Sequence, residues 1–337
     1  MASFSDDLLL PGPWSHRMVH VRGQRLHVAE CGAMSDPMVL FLHGSTGGWF
    51  EWRRVLALLA DDPFHAVAPS MRGYAPSDRT PNGYSPVIAA EDAAGLIRAM
   101  GHTKAIVVGH GLGSWIAWTL AARHPQLIDS LILSGAVHPR AWVAEMKSKP
   151  WSRESRTIVG STLRRTGRQS FPSRIGRRLL GPSTSNEQRI EDMVTHSMAR
   201  TGITPEGANF ADTELGAETA DLMRLSLASG ALSTALQHAD WWTKPWPPRL
   251  VRWLAELNQA GLPEAQLIAG ELDQSTPKRL LEASLSPETL QRAQLIAGGG
   301  QDVANPLLLP NIGHFPPVEA PEVIAEAIGT AMETFEH

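Results

Sequence analysis

The stretch Val107-Val108-Gly109-His110-Gly111-Leu112-Gly113-Ser114 constrains the fold more than any other part of the chain. An apolar, β-branched run stops at three glycines spaced two apart, and a helix-like run, Ser114 to Arg123, starts at once. Glycines on alternate positions of so short a turn let the backbone reverse sharply and let a helix pack closely against its own strand. A strand that feeds directly into a returning helix belongs in a parallel sheet with crossover helices.

The surrounding pattern agrees. Met18 to Val21 and Arg25 to Ala29 read as a hairpin about Arg22-Gly23-Gln24, and MVLFLHG is a continuous apolar strand, as expected where both faces are covered. Helix Phe50 to Leu59, strand His65 to Pro69, helix Ile88 to Met100, strand Lys104 to Gly109, helix Ser114 to Arg123 and strand Ile128 to Ser134 then alternate. From His138 to Trp246 the rhythm stops. That segment is helical in composition, is broken at Pro150, Pro172 and Pro182, and offers no convincing strand. Helix Pro247 to Leu257, strand Gln266 to Ala269, helix Lys278 to Leu285, strand Pro306 to Leu309 and helix Pro321 to Phe335 resume the alternation. An extra loop or helix is expected over Leu285 to Asn305. The pentapeptide QLIAG recurs at Gln294 to Gly298, and two copies do not make an architectural repeat.

A length of 337 residues suits one core with one insertion, and a hydrophobic fraction of 43% supplies that core. The net charge of -4 gives no overall pull toward nucleic acid, so nucleic acid is not expected as a partner. With Cys31 as its one cysteine the chain has no intrachain disulfide, which fits a reducing compartment. MASFSDDLLLPGPW lacks the basic start and the long apolar run of a signal peptide, and no apolar stretch reaches membrane-spanning length. The expectation is a cytoplasmic protein, with peripheral membrane contact open.

Four segments in order resemble the α/β-hydrolase superfamily, in its epoxide-hydrolase-like branch. HGSTGGWFEWR, from His43 to Arg53, is similar to the oxyanion loop, and APSMRGYAPSD to the next strand-end segment, with Ser70 and Ala75 where aspartate and glycine are usual. VVGHGLGSWIAW stands at the nucleophile elbow, and NIGHFPPVEAPE resembles the loop of the catalytic histidine. The resemblance implies an α/β-hydrolase fold: a mostly parallel, eight-stranded sheet flanked by helices, with an inserted helical cap. The core would be 1–137 and 247–337, and the cap 138–246, inserted after the sixth core strand over the active site.

The resemblance also assigns roles, and one is empty. The central position of G-x-Nu-x-G is Gly111, which has no side chain and so no atom on which a covalent intermediate can form. Glycine also relieves a backbone geometry that strains other residues there. Asp273, in GELD, matches the acid, and His314, in IGHF, matches the base; together they form an acid/base dyad, with Glu271 a solvated neighbour. The backbone N-H groups of Ser45 and Leu112, beside His43 and Gly44, remain to bind a negative oxygen. Ser114 reads as a first-turn helix residue, and a nucleophilic Ser45 is the remaining way to replace the lost side chain. Epoxide opening in this branch uses cap tyrosines, whereas Tyr74 and Tyr84 both fall in the core; dehalogenation uses an aspartate followed by tryptophan, where this chain has Gly111 and Leu112.

Eleven basic residues fall between Arg140 and Arg178, against Glu145 and Glu154 alone. Such a run is either a solvated face or a contact surface for anionic lipid or an acidic protein, with Arg164, Arg165, Arg177 and Arg178 its densest part. Trp142, Trp151, Trp241, Trp242, Trp246 and Trp253 give the cap and its return an aromatic character suited to packing and to a hydrophobic small molecule under the cap. No cofactor or metal is implied. Three functions follow: a catalytically silent binder, an enzyme using the His314-Asp273 dyad without a covalent step, and a hydrolase with a displaced nucleophile.

Overall fold

The computed structural model describes residues 6–148, 185–243, 264–273, 276, 278–284 and 306–333. Strands β1 (Ser15–Val21) and β2 (Gln24–Cys31) pair antiparallel. Arg22 and Gly23, at φ 48° and 78°, form the two-residue turn whose positive φ angles match the twist of a hairpin. β3 (Met38–Leu42), β4 (His65–Pro69), β5 (Ala105–His110), β6 (Ile128–Ser134), β7 (Glu264–Gly270) and β8 (Leu307–Leu309) complete one sheet in the order β1-β2-β4-β3-β5-β6-β7-β8. β2 runs antiparallel to both its neighbours, and every pair from β4 to β8 is parallel. All residues of β3, β4 and β5 are buried, the physical reason that their sequences are continuous apolar runs rather than alternating ones.

Helices α1 (Arg53–Leu59), α2 (Pro86–Ala99) and α3 (Leu112–Arg123) lie among these strands, and α9 (Pro321–Glu333) packs beside α1. α2 begins where the Ser85 side chain caps the Ile88 N-H and Pro86 occupies the first turn. α3 is apolar on nearly all sides because nine of its twelve residues are buried. The expected helix from Phe50 instead starts at Arg53, after a 3-10 turn over Trp49–Trp52. All four residues of that turn are buried, and the tighter winding brings them inward together as a regular helix face does not.

Between β6 and β7 the described elements are α4 (Pro139–Ser148), α5 (Asn186–Met198), α6 (Glu214–Ser226) and α7 (Leu232–Thr243), with one isolated bridge between Ile203 and Asn209. α8 (Lys278–Ser284) follows β7. The expected helix Pro247 to Leu257, the second QLIAG, the extra element over Leu285 to Asn305, Pro150, Pro172 and Pro182, Trp151, Trp246 and Trp253, and Arg164, Arg165, Arg177 and Arg178 lie outside the described residues. Among the described residues no helix is long and apolar enough to cross a membrane.

Strand order reverses between β3 and β5: the chain leaves β3 toward β4 and returns to the other side of β3 as β5. A crevice opens outside the strand ends at such a point, and His43-Gly44 and Gly111 follow the two strands that border it.

Candidate active site

The three glycines of the β5-α3 turn serve different ends. A Cβ on Gly113 would overlap the Leu42 carbonyl of β3, and one on Gly109 would lie 2.7 Å from the Ser114 backbone, so both are set by the close approach of strand and helix. Gly111 is different. A Cβ there meets only Gly44 Cα at 3.8 Å and His314 Nε2 at 3.9 Å, ordinary contact distances. Its φ of 54° and ψ of -111° are a geometry that strains any residue with a side chain. The turn therefore aims position 111 at the imidazole and has room for a side chain, but presents none.

Beneath that turn lies a pair that the sequence did not single out. Glu51 and His110 are fully buried, with His110 Nδ1 3.1 Å from Glu51 Oε2. The His110 Nε2-H donates to the His314 carbonyl at 2.8 Å, and the Gly44 N-H donates to Glu51 Oε2 at 2.8 Å. One buried pair thus ties together the loop after β3, the end of β5 and the histidine loop. Burial works to raise the Glu51 carboxyl, but the neighbouring His110 charge and hydrogen bond hold it below the usual range. Gly47 makes this possible, since a Cβ there would overlap Glu51 Oε1. A lone acid within an aromatic run, following two glycines, is the signal that could have found it. His43 is spent inside the fold: Nδ1-H donates to the Gly44 carbonyl at 2.8 Å and Nε2 accepts from the Met71 N-H at 3.0 Å.

Asp273, just past β7, and His314, on the loop after β8, come together with His314 Nδ1 2.7 Å from Asp273 Oδ2. The Thr276 hydroxyl donates to the same oxygen at 2.8 Å. Arg200, just after α5, is the unforeseen third member. Its Nη2 lies 2.6 Å from His314 Nδ1 and 3.3 Å from Asp273 Oδ1, and its carbonyl accepts the His314 N-H at 2.7 Å. Burial, then the Arg200 charge, push the His314 imidazole down to about 3, against the opposing pull of Asp273. Burial likewise lowers Arg200, and Asp273 resists it. No sequence signal marks an arginine so far upstream of Asp273. Glu319 braces the loop, accepting N-H groups from Gly202, Gly313 and Phe315, while Glu271 is exposed as expected.

The two serines near the turn are placed differently. The Ser114 hydroxyl is buried and donates to the Ser134 carbonyl at 2.8 Å. Ser45, half-buried, accepts at its backbone carbonyl from the Tyr74 hydroxyl at 2.9 Å. Tyr74 and Tyr84 belong to the β4-α2 segment, yet both rings meet His238 of α7, at 6.2 and 6.0 Å between centroids. Other links run between the same loops and the inserted helices: Thr46 to Ser197 at 3.3 Å, the Ser226 hydroxyl to the Gly47 carbonyl at 3.1 Å, and Trp142 of α4 against Trp115 of α3 at 5.8 Å. Leu112, the first residue of α3, is buried, and no side chain caps that helix.

A family model described as alpha/beta hydrolase fold matches residues 37–284, a span that includes Gly111 and Asp273. Among curated proteins, the AB hydrolase superfamily protein YfhM of Bacillus subtilis (strain 168) is 36% identical over 126 residues, 36% of this chain and 44% of that one. Epoxide hydrolase 1 of Caenorhabditis elegans is 34% identical over 128 residues, 37% of this chain and 31% of that one. These matches thus span less than half the length of either relative. Solved structures similar over nearly the whole chain include wild-type Cfl2 from Burkholderia cenocepacia, with a TM-score of 0.66 at 21% identity, covering 94% of this chain and 95% of that one. The epoxide hydrolase CorEH without ligand gives a TM-score of 0.68 at 17% identity, covering 96% and 99%. At such identities the structures speak to the fold alone.

Proposed function

The chain belongs to the alpha/beta hydrolase fold family and resembles epoxide hydrolases, and from that premise we propose that it is a non-hydrolytic member that binds a hydrophobic small molecule between the sheet and the inserted helices. The observation that carries this reading is Gly111: the turn points at His314 Nε2 with space for a side chain and no nucleophilic atom in it. Leu112 at the turn and Phe315 beside His314 are buried apolar residues that would suit a hydrophobic ligand. The inserted helices, hydrogen-bonded to the oxyanion-type loop, would act as its cap.

Purified protein offered p-nitrophenyl esters and styrene oxide should show no turnover above a His314→Ala control. Robust hydrolysis would overturn the proposal, and its loss in Ser45→Ala would then identify a displaced nucleophile. A second reading is favoured by the 2.7 Å contact between His314 and Asp273, which retains proton-transfer groups for chemistry without a covalent step. Screening apolar ligands by thermal shift, then following each hit for chemical conversion, separates the two: a bound and unaltered hit supports the binder, and a converted one supports the enzyme.

A further inference from the structure

We propose that Arg200 is a positioning residue that takes the Asp273 carboxylate as its own counter-ion and thereby blocks base action by His314, a second block independent of Gly111. In a working acid-base-nucleophile set the carboxylate orients the imidazole and stabilises the imidazolium that forms as the proton is taken up. Here the carboxylate is shared. Asp273 Oδ1 faces Arg200 Nη2 at 3.3 Å, and Oδ2 is shared by Thr276 Oγ1 at 2.8 Å and His314 Nδ1 at 2.7 Å. The same guanidinium nitrogen stands 2.6 Å from His314 Nδ1.

A guanidinium has donors only and keeps its charge. An imidazolium at His314 would place two buried cations in contact, with one carboxylate between them. At that distance and burial, like charges disfavour the second ionisation strongly. Among the described residues, the other groups facing this site do not reverse the balance. His110, 5.0 Å away between ring centroids, is engaged with Glu51 and lowers the His314 affinity for a proton further. Glu319 is held by three backbone N-H groups, and burial raises its carboxyl. Placement is also fixed: the His314 N-H is bonded to the Arg200 carbonyl, and a Cβ on Gly313 would overlap that oxygen. The Arg200 backbone is thus tied to the histidine loop.

The test follows the His314 ring by NMR of histidine labelled with nitrogen-15, across pH, in wild type, Arg200→Met and Arg200→Lys. Wild-type His314 should stay neutral far below the ordinary histidine value of about 6.5. In Arg200→Met its midpoint should rise by about one unit or more, because the cation that opposes protonation is gone while Asp273 remains. Arg200→Lys keeps the cation and should stay near wild type. A wild-type midpoint at or above the ordinary value overturns the proposal without any variant. So does an unchanged midpoint in Arg200→Met, or an equal rise in both variants, which would mark Arg200 as packing only. If Arg200→Met does not fold, Arg200→Gln takes its place with the same expected rise. Ester turnover by wild type overturns the non-hydrolytic reading and leaves this one standing, so the two fail separately.

Discussion

The β5-α3 turn and the Asp273-His314 pair are neighbours, a Cβ on Gly111 coming 3.9 Å from His314 Nε2, yet they differ in kind from an acid-base-nucleophile set. At the turn the backbone has an unusual geometry, the flanking glycines keep helix and strand in contact, and position 111 carries no side chain. At the pair both side chains are present, and a largely buried guanidinium contacts both of them. The first is a position whose backbone conformation suits glycine. The second is built into packing and charge, so disturbing it reaches the fold itself.

The comparison breaks first, and with the largest effect, at Asp273. Asp273→Ala removes the carboxylate that faces Arg200, and urea denaturation should show a loss of about 3–5 kcal/mol. A loss below about 1 kcal/mol would mean that the pair is not the electrostatic unit described. Next come the glycines. Gly113→Ala, which forces a methyl into the Leu42 carbonyl, should cost about 3 kcal/mol or more, whereas Gly111→Ala meets no clash and should cost about 1–3 kcal/mol from backbone strain alone. Equal costs in the same denaturation experiment would remove the distinction between a packing glycine and a vacant position.

A rate measurement sharpens the contrast. Gly111→Ser alone should give little esterase activity, and adding Arg200→Met should raise it by about tenfold or more, equivalent to ~1.4 kcal/mol, because His314 can then accept the serine proton. A Gly111→Ser variant as active as the double variant would leave the vacant turn as the one block. A last contrast concerns pH. His27, His138, His238 and His314 are each pushed by burial down to about 3, while unfolded histidines titrate near 6.5. Between those values the unfolded chain binds more protons, so stability is greatest above about pH 6.5 and falls as pH drops toward 3. Each such histidine adds a slope of up to about 1.4 kcal/mol per pH unit. His238→Phe should flatten the fall of the urea midpoint with pH, and Gly111→Ala should lower the whole curve without changing its slope.

Much of this was legible along the chain, for identifiable reasons. The continuous apolar runs at Met38 to Leu42 and His65 to Pro69 announced strands buried on both faces, and the glycine spacing after Val108 announced the sharp turn into α3. Gly111, Asp273 and His314 stood out because each sits in a local motif whose order matched a known set. Where the reading slipped, at Trp49–Trp52, periodicity could not register that four consecutive residues turn inward.

What the sequence by itself determined was the alternation of elements, the absence of a side chain at position 111 and the presence of an acid and a base in order. Each is a property of residue type and local spacing, written within a few neighbours. The tertiary structure alone decided that Glu51 and His110 lock three loops together, that His43 is engaged by Gly44 and Met71, and that Arg200 contacts both Asp273 and His314. Those outcomes depend on which distant segments the sheet order brings to one crevice, and on burial, which turns a charge from a solvated group into a partner that its neighbours must answer.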